Sequence, residues 1–223
     1  MKAIIWDMDG TITDSEQFWT ANPFRMLEHF GVPDPRGKNA PWFKTHYSES
    51  IKAYLESPDC KLNMSYEECI NWGKNYVYSH AYSEGTPMKP NARESLEAAA
   101  ALHIPMYLLS ATEQQALKYT LYRNNMEHYF TFWQTTANRP LNKHHPELFQ
   151  LVADKMGVAL TDCLLIEDSL YSMKTGKSVG CKVWAIEDPK HIRDKEKIIA
   201  LADRYFENHI QLAKALREDF VVN

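Results

Sequence analysis

The chain has 223 residues, 44% of them hydrophobic and 12% aromatic, which is ample for one large domain or two small ones. A formal net charge of -4 provides no basic field for a polyanion, which argues against nucleic acid as a partner. Cys60, Cys69, Cys163 and Cys181 form no Cys-x-x-Cys pair, which argues against a zinc knuckle or redox pair, and no apolar run approaches the ~20 residues that span a bilayer.

The first apolar run, Ala3–Trp6, is short and mostly β-branched or aromatic, and predicts a buried strand ending at Asp7-Met8-Asp9-Gly10. It turns acidic too soon for a signal peptide, so a soluble cytoplasmic protein is the expectation. Residues 15–85 contain no convincing strand. Helical stretches run over Ser15–Phe30, Ser48–Leu55 and Ser65–Ser83, punctuated by Gly31-Val32-Pro33-Asp34-Pro35 and Ser57-Pro58-Asp59. The many aromatics of this interval read mostly as core. It forms a helical insertion that returns through Thr86-Pro87-Met88-Lys89-Pro90.

Helices are then predicted at Ala92–Leu102, Glu113–Asn124, Pro146–Met156 and Leu170–Val179. Strands are predicted at Pro105–Leu109, Cys163–Ile166 and Cys181–Ile186, with a weaker one at Thr131–Gln134. Cys163 and Cys181 open two of these runs and read as small core residues. The mixed charges of Arg193-Asp194-Lys195-Glu196-Lys197 read as a solvated face. Strands alternating with helices imply an α/β fold whose parallel sheet is covered on both sides.

In such a sheet ligands bind beyond the carboxyl ends of the strands. Asp7-Met8-Asp9-Gly10-Thr11, Ser110-Ala111-Thr112, Glu167-Asp168-Ser169 and the loop lysine Lys143 therefore converge on one crevice. Asp7 and Asp9 repel unless a cation neutralises them or one holds a proton, and oxygen ligands without His or Cys favour Mg2+. Asp168, and less directly Glu167, would complete that site; Glu167 could equally sit beside the ligands or be a plain loop acid. Ser110 and Lys143 would donate to phosphate oxygens, and Gly10 would let the backbone turn close to the ligand and offer N–H groups. Ser110 could instead cap the helix near Glu113, for which Thr112 is the better candidate.

These four segments, in this order, resemble the motifs of the haloacid dehalogenase superfamily, in its branch of phosphatases and hexose-phosphate mutases. Asp7-Met8-Asp9-Gly10-Thr11 is similar to the first motif, Ser110 to the second, Lys143-His144-His145-Pro146-Glu147-Leu148-Phe149 to the third, and Leu165-Ile166-Glu167-Asp168-Ser169 to the fourth. The resemblance implies a Rossmann-like core, residues 1–14 and 86–223, with a small helical cap at 15–85. It implies that Asp7 attacks phosphorus and that Asp9 serves as general acid and base. Mg2+ would be held by Asp7, Asp9 through its backbone carbonyl, and Asp168, with Glu167 nearby. Gly10, Thr11, Ser110, Ala111 and Lys143 would bind the phosphoryl group. The chain departs from the pattern at His144, where a proline is usual, at Ser172, where a glycine is usual, and at Lys174 and Lys177 in the following helix.

The substrate expected from this resemblance is a small phosphorylated metabolite, with no nucleic-acid or membrane partner and a monomer or weak homo-oligomer as the state. A β-phosphoglucomutase-like phosphomutase would use the same residues. Dehalogenation is disfavoured by Asp9. Phosphonate hydrolysis would need a cap lysine, and Lys38, Lys44 and Lys52 lack a recognisable setting. A non-catalytic metabolite-binding protein would be expected to have lost one of Asp7, Asp9, Lys143 or Asp168. Lys44 and His46 are candidates to face the leaving group; loop polarity explains His144 and His145 more cheaply than catalysis.

Overall fold

The structure, a computed structural model, describes residues 1–44, 46–83 and 85–219. Thr45, Glu84 and residues 220–223, which fall within the expected cap and core, lie outside the described residues. Strand β1 (Ala3–Trp6) is followed by helices α1 (Glu16–His29), α2 (Tyr47–Leu55) and α3 (Tyr66–Val77), and α3 continues into a π-helical turn over Tyr78–Tyr82. Next come α4 (Ala92–Ala100), β2 (Met106–Ser110), α5 (Gln114–Arg123), β3 (Phe132–Thr135) and α6 (Pro146–Met156). The chain finishes with β4 (Cys163–Glu167), α7 (Leu170–Ser178), β5 (Lys182–Ile186), α8 (Lys195–Leu201), β6 (Arg204–Phe206) and α9 (His209–Asp219).

Two compact units result, Met1–Asp14 with Gly85–Asn223, and Ser15–Glu84. Gly85, counted with the insertion on sequence grounds, belongs to the first unit.

That first unit is built on a six-stranded sheet of order β3-β2-β1-β4-β5-β6 with every pairing parallel. This is a Rossmann-like α/β fold. Both side-chain alternations of the central strands are buried. Ala3, Ile5, Tyr107, Leu109, Leu165 and Val183 pack with Leu148, Phe149 and Val152 of α6 and Met173 of α7. Ile4, Trp6, Leu108, Leu164, Ile166 and Trp184 occupy the alternate positions and are fully buried. Continuous apolar runs in sequence are the direct consequence. Two strands run longer than those runs: β2 extends through Ser110, which pairs with Thr135, and β4 through Glu167, which pairs with Ala185. Pro105 stays outside β2, because it has no N–H to give, although its carbonyl accepts from Ile4 N–H at 3.0 Å. The three-residue β6 is too short to register as a periodic run.

In the second unit, α1, α2 and α3 pack around two clusters, Met26, Tyr47, Ile51 and Cys69 in one and Leu27, Ala40, Trp42 and Tyr54 in the other. A capping box starts α3: Ser65 Oγ accepts from Glu68 N–H at 3.2 Å and the Glu68 carboxylate accepts from Ser65 N–H at 2.7 Å. Several aromatics of this unit are core as expected, whereas Phe30 and Tyr66 are exposed. The segments that lead into and out of the insertion run side by side within the first unit. Asp14 N–H donates to the Pro87 carbonyl at 2.9 Å and Lys89 N–H to that of Ile12 at 2.8 Å.

Helices α4 and α9 pack on each other and fix the loop after β1 from below. His209 of α9 lies 2.7 Å from Ser95 Oγ of α4 through Nδ1 and 2.8 Å from the Thr11 carbonyl through Nε2. A carbonyl can only accept, so Nε2 carries the hydrogen, while the one hydrogen of Ser95 Oγ is shared between Nδ1 and the Ala92 carbonyl at 2.8 Å. Burial pushes the His209 pKa down to about 4. The unfolded chain therefore binds a proton that the folded one refuses, and stability falls as pH drops from about 6.5 towards 4, by up to about 3 kcal/mol. Replacing His209→Gln is expected to cost about 1–3 kcal/mol at pH 7.5 in urea denaturation. The gap to the wild type should narrow as pH is lowered to 5; parallel pH profiles for the two proteins would contradict this.

Candidate active site

The strand order reverses direction between β1 and β4, and a crevice opens at the carboxyl ends of strands at such a switch point. Trp6 pairs with Ile166, and Asp7 N–H donates to the Ile166 carbonyl at 3.0 Å, so Asp7 and Glu167 emerge side by side. Asp168 follows. Carboxylate oxygens of Asp7, Glu167 and Asp168 lie within 4.8 Å of one another, and all three residues are buried. Lys143, from the loop between β3 and α6, inserts its ammonium between Asp7, with which it pairs, and Glu167 at 2.9 Å. The adjoining turn is pinned locally: His145 N–H donates to the Asn142 carbonyl at 2.9 Å and His144 N–H to Asn142 Oδ1 at 3.0 Å.

The three acids differ in environment. Burial pushes Glu167 up, but Lys143 and the hydrogen bonds from Ser169 outweigh it and hold the carboxyl at about 2. Its Oε2 accepts from Asp168 N–H at 2.8 Å, Ser169 N–H at 2.7 Å and Ser169 O–H at 2.7 Å. Asp7 is raised well above the usual range, because burial and the neighbouring acids exceed the help from Lys143. Asp168 is raised too, chiefly by burial. It accepts from Thr11 O–H at 3.0 Å and lies 3.3 Å from His191 Nε2. Burial pulls Lys143 down, but the negative charges of Asp7 and Glu167 overcome it and keep the ammonium charged.

Asp9 stands apart from this carboxylate group and is only half-buried. Its side chain accepts from the Thr112 hydroxyl and, at 3.4 Å, from Thr13 O–H. Thr112 is thus not the helix cap expected from sequence. Helix α5 is preceded by Glu113 without any side-chain cap, so Ser110 does not cap it either. Ser110 Oγ accepts from Thr112 N–H at 3.0 Å, which leaves its own hydrogen to be donated elsewhere. Ala111 is exposed just beyond β2. The N–H of Gly10 is directed to the Thr13 carbonyl at 2.9 Å. What glycine supplies here is space and a left-handed turn, with φ at +84° and the Asp168 carboxylate where a Cβ would be.

A model of the haloacid dehalogenase-like hydrolases matches residues 1–180. The chain belongs to that family. Among curated members, the phosphorylated carbohydrates phosphatase of Thermotoga maritima is 25% identical over 181 residues, covering 81% of this chain and 82% of its own. The 6-phosphogluconate phosphatase of Escherichia coli is 28% identical over 193 residues, covering 82% and 81%. A hydrolase of the family from Deinococcus radiodurans, solved with bound phosphate and sodium, shares the fold with a TM-score of 0.71 at 20% identity, over 98% of this chain and 96% of that one. No helix among the described residues is long and apolar enough to cross a membrane.

Four neighbours of the site in this haloacid dehalogenase-like hydrolase escaped sequence reasoning: Lys89, Glu187, Asp188 and His191. Lys89 donates to the Gly10 carbonyl, donates to the Glu187 carbonyl at 2.8 Å and pairs with Asp188 at 2.8 Å. His191 follows β5 and meets Asp168. The strand-end rule, extended to Cys181–Ile186, points to Glu187 and Asp188. Lys89 carries no such signal within a segment that reads as a linker.

Substituting Gly10→Ala should force both a strained backbone and an overlap with the Asp168 carboxylate. A loss of about 2–4 kcal/mol is expected. Guanidinium denaturation of the two proteins checks it, and an unshifted midpoint would mean that this turn is free to rearrange.

Proposed function

We propose that the protein is a Mg2+-dependent phosphatase of small phosphorylated sugars or related metabolites, acting through an aspartyl-phosphate on Asp7. The observation that carries this reading is the buried group of Asp7, Glu167 and Asp168 with the single ammonium of Lys143 thrust into it. The names of the Thermotoga maritima and Escherichia coli relatives support the substrate class.

The donor set suits a hard divalent cation: it is all oxygen, it is buried, and two of its acids are pushed above their usual range by that burial and by their acidic neighbours. Asp7, Asp168 and the backbone carbonyl of Asp9 would hold it. When bound, Mg2+ supplies the charge that keeps these carboxylates ionised and offsets the phosphate's own. Glu167 has both oxygens engaged by Lys143, Ser169 and the Asp168 N–H, and is better placed to aim Lys143 than to ligate metal.

One Asp7 carboxylate oxygen attacks phosphorus in line, and the bond from phosphorus to the leaving oxygen breaks. Asp9, turned by Thr112 and half open to solvent, gives its proton to the departing alkoxide. It then takes one from the water that attacks phosphorus and frees Asp7 and inorganic phosphate. Lys143 and the Ser110 hydroxyl donate to the phosphoryl oxygens as charge shifts onto them. Residues 15–84 act as the cap that selects the leaving group. In a phosphomutase a sugar hydroxyl replaces the water.

The test is a panel of sugar phosphates assayed for phosphate release with Mg2+ and with EDTA. The wild type is expected to release phosphate only with the metal. Asp7→Asn should lower kcat by roughly 10^3-fold or more while the fold is retained. Full activity in that variant would remove Asp7 as nucleophile, and interconversion of glucose phosphates without phosphate release would turn the reading to the mutase.

A further inference from the structure

The loop that delivers Lys143 poses a mechanical problem. Its side chain has a flexible four-carbon stem, so where the ammonium sits depends on how firmly the backbone at 143 is held. The next residue, His144, is exposed, yet its ring lies stacked on Tyr171 with centroids 4.3 Å apart and planes 23° apart. Tyr171 is the second residue of α7, and only Asp168 and Ser169 separate that helix from Glu167 at the end of β4. The stack therefore joins the segment that carries Lys143 to the segment that carries its partner Glu167.

Filling a core does not account for this pair. His144 is exposed and Tyr171 is 38% exposed, so the pair lies at the surface and outside the core clusters. Nor is the phenol remote from the chemistry: it lies in the field of Lys143, Glu167, Asp7 and Asp168, and burial together with these acids pushes it up to about 12.

We propose that His144 and Tyr171 form a stacked clamp that positions Lys143 between Asp7 and Glu167. Both are positioning residues, acting through Lys143 and not by touching substrate. The proposal rests on the phosphoryl-transfer reading for its kinetic consequence, but not for its structural one.

Two readouts on the full-length protein separate these. The first is steady-state kinetics on the best sugar phosphate with Mg2+ for His144→Ala, Tyr171→Ala, the double variant, and the ring-preserving His144→Phe and Tyr171→Phe. The second needs no turnover: acylation of lysines by acetic anhydride, with Lys143 followed by mass spectrometry relative to Lys2, whose side chain is 69% exposed.

Each alanine variant is expected to lose about 10-fold in kcat with KM within about 3-fold, the double variant should be no worse than either single one, and the phenylalanine variants should recover most of the loss. Labelling of Lys143 should rise several-fold in the alanine variants alone. Lys143 remaining as protected as in the wild type would overturn the clamp. So would kcat losses that multiply in the double variant, or Tyr171→Phe performing as poorly as Tyr171→Ala. If the wild type hydrolyses no phosphate ester, the functional reading fails while the labelling still decides the clamp.

Discussion

A single ammonium buried among three carboxylates is the constraint from which the rest of the site follows. Removing ions from water is expensive, and like charges inside a protein cost more still. Lys143 offsets part of that for Asp7 and Glu167 by direct pairing. It does not offset all of it, because Asp7 and Asp168 remain raised while Glu167 is held low. The site is thus assembled with a deficit of positive charge. On the phosphatase reading, a divalent cation is the ligand whose charge would offset that deficit.

Holding such a group together requires a stiff frame, and the loop after β1 is tied at four points. Thr11 O–H reaches Asp168, and the Thr11 carbonyl receives His209 from α9. Lys89 reaches the Gly10 carbonyl and carries the connection on to Glu187 and Asp188 beyond β5. Thr112, at the end of β2, takes hold of Asp9. Strands β1, β2, β4 and β5 therefore all anchor one short loop. On the proposed reading an in-line displacement would tolerate little misplacement of its nucleophile, and this bracing would then serve the chemistry as much as stability.

How much of this was legible in the sequence follows from the same distinction. Buried parallel strands write themselves as unbroken apolar runs, and Asp7, Ser110, Glu167 and Asp168 lie where such runs stop. Their convergence follows from topology alone. The parallel sheet could be expected for that reason, while β6, three residues long, could not. The bracing residues are a different matter. His209 meets Thr11 across 198 positions and Lys89 meets Gly10 across 79, and neither contact leaves a local pattern. Thr112 was visible but ambiguous: a hydroxyl ahead of a helix reads as a cap until a carboxylate from another strand claims it. His144 stood out only as a departure from a familiar motif, and its partner Tyr171 showed no signal of its own.

The environments of the four acids also divide the labour among them. Glu167 is held as an anion by four donors, from Lys143, the Asp168 backbone, and the Ser169 backbone and hydroxyl, which makes it a fixed charge and a poor proton carrier. Asp7 and Asp168 are buried in the same group and gain most from an added cation. Of the four, Asp9 alone is half open to solvent; it is not part of that group and accepts from the Thr112 hydroxyl. A group that must give a proton to one oxygen and take it from another needs access to both. Of the four carboxylates only Asp9 has that access, so on the proposed reading the acid–base work falls to it for its exposure as well as for its place two residues after Asp7.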